Sequence, residues 1–151
     1  MCPLGFVAMR MEECMTTSSS NRPDPTAHGA AARIRYQVTA VEPAIAFYTE
    51  QLGFTLDQRT GPFAQVSRGQ LRLILSGPGT SGARPMPDGR RQEPGGWNRI
   101  VLHVDDLQAE IERLKQQGVH FRNQVEVGPG GSQILIEDPD HNPIELHQPT
   151  K

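Results

Sequence analysis

The chain has 151 residues, a formal net charge of −2 and only 21% charged residues. Its length suits one domain with a hydrophobic core rather than two, and so small a net charge provides no long-range field for nucleic acid or an anionic membrane. No apolar run reaches the roughly 18 residues of a membrane span, and both cysteines, Cys2 and Cys14, lie near the N-terminus, which excludes a disulfide scaffold and favours a reducing, cytoplasmic location.

The first 31 residues have the composition of a tail. They end in the Ser-, Pro-, Ala- and Gly-rich segment "TTSSSNRPDPTAHGAA", which has no apolar periodicity. Such a segment is predicted to be disordered or loosely attached. The start lacks the positive region and the cleavage site of a signal peptide. Met15 is an alternative start to Met1, and the sequence does not decide between them.

The next part of the chain predicts a strand, a helix and three further strands. Residues 33–38, "RIRYQV", alternate polar and apolar side chains as a half-buried strand does. Its apolar residues Ile34, Tyr36 and Val38 are expected to pack under the helix. A helix follows, opened by Glu42-Pro43 and closed at Gly53. Its apolar stripe consists of Val41, Ile45, Tyr48 and Leu52. Short strands are predicted near residues 54–59, 63–67 and 70–76.

The same pattern recurs 66 residues later, which indicates an internal duplication of a βαβββ unit. At this offset Arg33 aligns with Arg99 and Gln37 with His103. The helical stripe aligns with Leu107, Ile111 and Leu114, and Gly118 ends the second helix. Strands are predicted near 119–122, 132–137 and 143–147, and "GPGG" at 128–131 is predicted to be a hairpin turn.

The predicted organisation is a tail over residues 1–31 and one domain over residues 32–150. Within the domain, module one covers about 32–76 and module two about 98–148. Residues 77–97 form a Gly- and Pro-rich linker between the modules. A connection of that length is either a functional lid over a site or a slack spacer.

Three motifs in this frame carry a family resemblance: "AIAFYTEQLGF" after the first strand, "VDDLQAEIERLKQQGV" in the second half, and the closing "EDPDHNPIEL". Together they resemble the vicinal oxygen chelate superfamily, which includes glyoxalase I, extradiol dioxygenases, fosfomycin-resistance transferases and bleomycin-binding proteins. The resemblance covers about residues 33–149. It implies an α+β fold in which two tandem βαβββ modules form a curved, barrel-like sheet cup, and it implies a homodimer.

The resemblance also implies four metal-ligand positions, which fall on Arg33, Ile74, Arg99 and Glu145. Only Glu145 is a plausible ligand, because a guanidinium has no lone pair to offer and stays protonated. His103 lies four residues beyond Arg99, about 13 Å along the strand, and His147 lies two residues beyond Glu145. We therefore expect neither a metal site nor another cofactor.

The predicted cup is lined by polar side chains. The candidate ligand-binding residues are Arg33, Arg35, Gln37, Arg72, Trp97, Arg99, His103 and Glu145. Arginine suits the bidentate recognition of a carboxylate or phosphate, so the ligand is expected to be small, and an anion is one candidate. Alternatively, Arg33, Arg99 and Glu145 form an ion-pair cluster that fills a vacated metal site.

Two further residues carry open alternatives. His103, like Glu145, is a candidate catalytic residue because histidine titrates near neutral pH, yet a hydrogen-bonded structural histidine has the same pattern. Trp97 either stacks on a ligand or anchors the linker.

The sequence therefore predicts a metal-free, cytoplasmic, homodimeric protein that binds a small molecule. It predicts no nucleic-acid or membrane partner. The alternatives are a metal-dependent lyase or dioxygenase of the same superfamily and an accessory or regulatory domain with a vestigial cup. The residues name neither the ligand nor a reaction.

Overall fold

The computed structural model of the protein describes residues 33–151. The predicted tail, residues 1–31, lies outside the described residues. Two curved sheets and two principal helices make up the described part, in the α+β arrangement that the sequence predicted. The elements are β1 Arg33–Gln37, α1 Val41–Ala46, a π-helical turn Phe47–Gln51, β2 Thr55–Thr60, β3 Phe63–Arg68, β4 Leu71–Ser76, a 3₁₀ turn Ser81–Ala83, β5 Ile100–His103, α2 Leu107–Gln116, β6 His120–Phe121, β7 Glu126–Gly128, β8 Gly131–Glu137 and β9 Pro143–Pro149.

Sheet one has the strand order β1-β4-β3-β2. Its first strand, β1, pairs parallel with β4, and the other neighbours are antiparallel. The register places Arg35 opposite Ile74 and Gln37 opposite Ser76. Because side chains alternate along a strand, these residues share one face, and Tyr36 lies on the other.

Sheet two repeats this plan with the order β5-β9-β8-β6. The register places Val101 opposite Glu145 and His103 opposite His147. One difference from sheet one was not predicted: β6 and β7 both pair with β8, at opposite ends of that strand, so the module's second strand is broken in two. At the break, the Asn123 Oδ1 accepts a hydrogen bond from the Leu135 N–H at 2.8 Å.

Both helices bury the apolar stripe that the sequence predicted. In α2 the side chains of Leu107, Ile111 and Leu114 are buried, and the Asp106 side chain caps the helix by accepting from the Ala109 N–H at 2.9 Å. In the first helix Val41, Tyr48 and Leu52 are buried and Ile45 is partly buried. No helix between residues 33 and 151 is long and apolar enough to cross a membrane.

One core residue was predicted wrongly. Ile34 was expected to pack under the first helix together with Tyr36 and Val38, but its side chain is 38% exposed. Ile34 lies near the start of β1, which is the edge strand of sheet one, so it has a neighbouring strand on one side only. Tyr36 and Val38, further along the strand, are buried as expected.

The cores of the two modules are continuous, and buried polar groups join the modules. The Tyr36 hydroxyl accepts from the Ile100 N–H at 3.0 Å and donates to the Pro143 carbonyl at 2.9 Å. Burial raises the pKa of Tyr36 to about 12, so this hydroxyl keeps its proton at neutral pH. Each contact satisfies a polar group that would otherwise be buried without a partner.

The hairpin between β7 and β8 yields the first testable prediction. Gly131 has φ +136, and a Cβ there would collide with the Gln148 carbonyl of the neighbouring strand. Gly131→Ala is therefore expected to lower the free energy of unfolding by about 2 kcal/mol or more, measured by urea denaturation. The matched control is Gly130→Ala, where a Cβ meets nothing within 4 Å; equal effects of the two variants would contradict the assignment.

Candidate functional site

The face of each sheet that lies opposite the core carries the candidate residues, and we call it the polar face. On sheet one it consists of Arg33, Arg35, Gln37, Arg72, Ile74 and Ser76. On sheet two it consists of Val101, His103, Glu145 and His147, with Arg99 just before β5.

An ion pair occupies the polar face of sheet two. The Arg99 Nε donates to the Glu145 Oε2 at 2.7 Å, and the two side chains are 34% and 10% exposed. Glu145 lies in the middle of the three strands, between Val101 on β5 and Leu135 on β8. Its carboxylate is shielded by protein on both sides, and a guanidinium supplies its charge partner.

The residues at the four implied metal-ligand positions are not suited to bind a metal ion. Glu145 is engaged by Arg99, Ile74 has no donor atom, and the two arginines would repel a cation. Within residues 33–151, no group of three or more His, Cys, Asp or Glu side chains is arranged to hold a metal ion. The donor chemistry of this face therefore suits an ion pair.

The two candidate catalytic residues are not joined. His103 pairs in register with His147, and their ring centroids lie 5.3 Å apart. Glu145 lies two residues before His147 on β9, opposite Val101 on β5. Among the described residues, no hydrogen bond links His103 to Glu145, and His103 borders a cleft with Arg68 and the start of α2.

The linker packs on the polar face of sheet one. The Gln37 Nε2 donates to the Gly82 carbonyl at 2.8 Å and to the Gln92 Oε1 at 3.2 Å. The Arg35 guanidinium donates to the Ser76 Oγ at 2.9 Å and lies against Gly82, where a side chain would collide with it. Gly82 thus leaves room for the Arg35 guanidinium between the linker and β1, and a side chain at this position would require that guanidinium to move.

A cavity of about 210 Å³ lies between the linker and sheet one. Its lining residues are Gln37, Val38, Thr39, Ser76, Pro78, Ala83, Pro85, Arg91, Gln92 and Pro94. The Gln37 Oε1 is buried and has no hydrogen-bond partner. A buried amide oxygen without a donor is uncommon in a folded protein.

The two remaining candidates, Arg72 on the polar face of sheet one and Trp97 in the linker, make other contacts. Arg72 donates to the carbonyls of Gly69 and Leu71 at the β3–β4 turn. Trp97 is 77% exposed, and the Arg122 guanidinium lies 5.2 Å from its ring centroid. Among the described residues, no hydrogen bond or ion pair connects the side chains of Arg35 and Gln37 to those of Arg99 and Glu145.

A cluster around Glu137 was not predicted. Its carboxylate is bonded by Arg122 at 2.7 Å, by His120 at 2.9 Å and by His141 at 2.8 Å. Burial acts to raise the pKa of Glu137, but these three partners outweigh it and hold the pKa below the ordinary value of a glutamate. The strand register sets His120 opposite Glu137, and the turn between β8 and β9 returns His141, four residues along the chain, to the same carboxylate. Only the second of these contacts is local in sequence.

Comparison with known proteins gives a family match and related structures. The model of the Glyoxalase/Bleomycin resistance protein/Dioxygenase superfamily matches residues 30–146. Among solved structures, TnmS3, an antibiotic binding protein from Streptomyces sp. CB03234, is 30% identical, with 79% of this chain and 96% of that chain covered and a TM-score of 0.57. No curated protein matches the chain.

Two further structures share the fold. A superfamily member from Sphaerobacter thermophilus DSM 20745 is 30% identical, with 78% of this chain and 97% of that chain covered and a TM-score of 0.60. The lactoylglutathione lyase from Agrobacterium tumefaciens is 20% identical, with 78% and 93% covered and a TM-score of 0.58. At 20% identity, the likeness to the lyase shows the fold alone.

A double-mutant cycle on the ion pair gives the next prediction. Arg99→Leu leaves the largely buried Glu145 carboxylate without its partner, so the free energy of unfolding is expected to fall by about 1–3 kcal/mol. Adding Glu145→Leu should recover most of that loss, because no buried charge remains. Additive effects of the two substitutions in thermal or urea unfolding would contradict a coupled pair.

Proposed function

Because the chain belongs to the Glyoxalase/Bleomycin resistance protein/Dioxygenase superfamily, we propose that it is a metal-free member that binds a small molecule on the polar faces of its sheets. In this proposal it sequesters or carries its ligand and performs no metal-assisted reaction.

The observation that carries this proposal is the Arg99–Glu145 ion pair. Of the four implied metal-ligand positions, only that of Glu145 holds a residue that could bind a metal ion. Its Oε2 is instead paired with the Nε of Arg99 at 2.7 Å. A cation would have to displace this guanidinium, with a second arginine, Arg33, at another position of the set. Catalytic metal sites normally keep about three protein ligands, and this set supplies one.

The likeness to TnmS3 supports binding as the role. That protein is described as an antibiotic binding protein, and 96% of its length is covered at 30% identity. An antibiotic is therefore the first kind of ligand to test. Arg33 and Arg35, which are exposed on the polar face of sheet one, would offer guanidinium donors to its carbonyl or acidic groups.

We further propose that the protein is a homodimer. Val101 is 48% exposed beside the buried Glu145 on sheet two, and Val127 on β7 is 80% exposed. A second copy of the chain would cover such apolar side chains. Sedimentation at micromolar concentration is expected to give twice the chain mass of 16.7 kDa; a species of single mass throughout would contradict the dimer.

Metal analysis tests the proposed function. Elemental analysis of the purified chain is expected to give far less than one transition metal per chain, and a chelator should leave the unfolding temperature unchanged. Arg99→His should not create metal binding, because one added imidazole beside Glu145 still leaves fewer than about three ligands.

A ligand screen completes this test. Antibiotics of several chemical classes are screened for thermal stabilisation of the chain, with and without chelator, and a hit is expected to stabilise equally in both conditions. About one zinc, nickel, manganese or iron per chain, removed by chelator together with ligand binding, would overturn the metal-free proposal.

A further inference from the structure

We propose that His120 and His141, oriented by the shared carboxylate of Glu137, form a nucleophilic site that transfers a small acyl group from an activated ester to water. The site is separate from the polar faces, because none of the residues assigned to those faces lines the pocket beside the two histidines. The inference therefore goes beyond the proposed function and does not depend on it.

The hydrogen bonds of Glu137 fix the tautomer of both imidazoles. The Glu137 Oε1 accepts from the Arg122 Nε at 2.7 Å, and the Oε2 lies 2.9 Å from the His120 Nδ1 and 2.8 Å from the His141 Nδ1. Despite its burial, these partners keep the pKa of Glu137 below the ordinary value, so the carboxylate is ionised and can only accept. Each Nδ1 is therefore the donor, and the lone pair of each neutral ring is on Nε2.

Both histidines are accessible to a reactant. Their side chains are 68% and 76% exposed, while the carboxylate that holds them is 8% exposed. They line an open pocket of about 230 Å³ beside the ends of the two helices. The apolar side chains of this pocket are Phe47, Val119 and Pro139. A small acyl or aryl group can therefore pack beside the rings.

The arrangement resembles a catalytic pair in which a carboxylate orients an imidazole and stabilises positive charge on it. The Nε2 lone pair attacks the carbonyl carbon of the ester, and the bond to the leaving oxygen breaks with its electron pair. The acyl-imidazolium that remains lies beside the Glu137 carboxylate. Water then adds to the acyl carbon, the carboxylic acid leaves, one proton passes to solvent, and Nε2 regains its lone pair.

The probe is p-nitrophenyl acetate, whose hydrolysis by the full chain is followed through the absorbance of p-nitrophenolate. N-acetylhistidine at the same concentration of imidazole gives the rate of an unassisted ring. The chain is expected to react about tenfold faster, because the Glu137 carboxylate stabilises the charge that develops on the imidazole. Diethyl pyrocarbonate leaves a more durable acyl group, and peptide mass spectrometry should find it on His120 or His141 before the exposed His103.

Variants separate the carboxylate from the rings. Glu137→Gln is expected to return the rate to that of N-acetylhistidine. The matched control is Glu126→Gln, which removes the same charge from an exposed side chain of β7 and should leave the rate unchanged. The double variant His120→Gln/His141→Gln keeps the contact of Arg122 with the carboxylate. It should lose the excess rate while its circular dichroism spectrum stays that of the wild-type chain.

NMR of the imidazole nitrogens tests the orienting role of Glu137 apart from any effect on folding. In the wild-type chain both rings should carry the proton on Nδ1, and in Glu137→Gln they should revert to the Nε2–H form that free histidine favours. A wild-type rate no higher than that of N-acetylhistidine would overturn the site. So would an excess rate that the double variant retains, or an acyl group found first on His103 or Lys115.

Discussion

The arrangement of the modules depends on the buried hydrogen bonds of the turn between β8 and β9. The Asp138 carboxylate accepts hydrogen bonds from the backbone of Asp140 and Asn142 within the turn, and from the Tyr48 hydroxyl of the first helix at 3.0 Å. Asn142 then donates to the Gln37 carbonyl at 2.9 Å. Burial raises the pKa of Asp138, and this cost is tolerated because several donors surround the carboxylate.

The same turn also helps to fix the position of β1, and with it the orientation of the polar face of sheet one. Asn142 fixes the end of β1 through Gln37, and the Tyr36 hydroxyl ties the same strand to β5 and β9. The alternation of side chains then determines that Gln37 is available to the linker while Tyr36 is buried in the core. A one-residue slip of β1 would exchange these two roles, so the buried hydrogen bonds of one face specify the chemistry of the other.

The sequence predicted what depends on local periodicity and not what depends on contacts between distant segments. The helical stripes and the alternation in β1 repeat every 3.6 and 2 residues, and they placed Tyr48, Leu114 and Tyr36 in the core correctly. An ion-pair cluster of Arg33, Arg99 and Glu145 was one of two open alternatives. The structure contains the Arg99–Glu145 pair, and Arg33 is not part of it; whether these residues bind a ligand stays a prediction. The pairing of β6 with β8 joins residues 15 to 17 positions apart, and the contact between Gln37 and Gln92 joins residues 55 positions apart, so neither has a local pattern in the sequence.

The linker is hydrogen-bonded to the rest of the domain along its length, which a slack spacer would not be. At its start, the Gly77 N–H donates to the Pro62 carbonyl at 2.8 Å, and near its end the Gly95 N–H donates to the Asn142 Oδ1 at 2.8 Å. Between these anchors, Gly82 and Gln92 are held by Gln37, and several prolines restrict the backbone. A linker held at both ends and in the middle has few conformations open to it, so its position over sheet one is part of the folded structure. Gln37 anchors the middle of the linker, and the next residue back in β1, Tyr36, joins the modules through the core. The alternation of β1 thus ties the position of the linker to the packing between the modules.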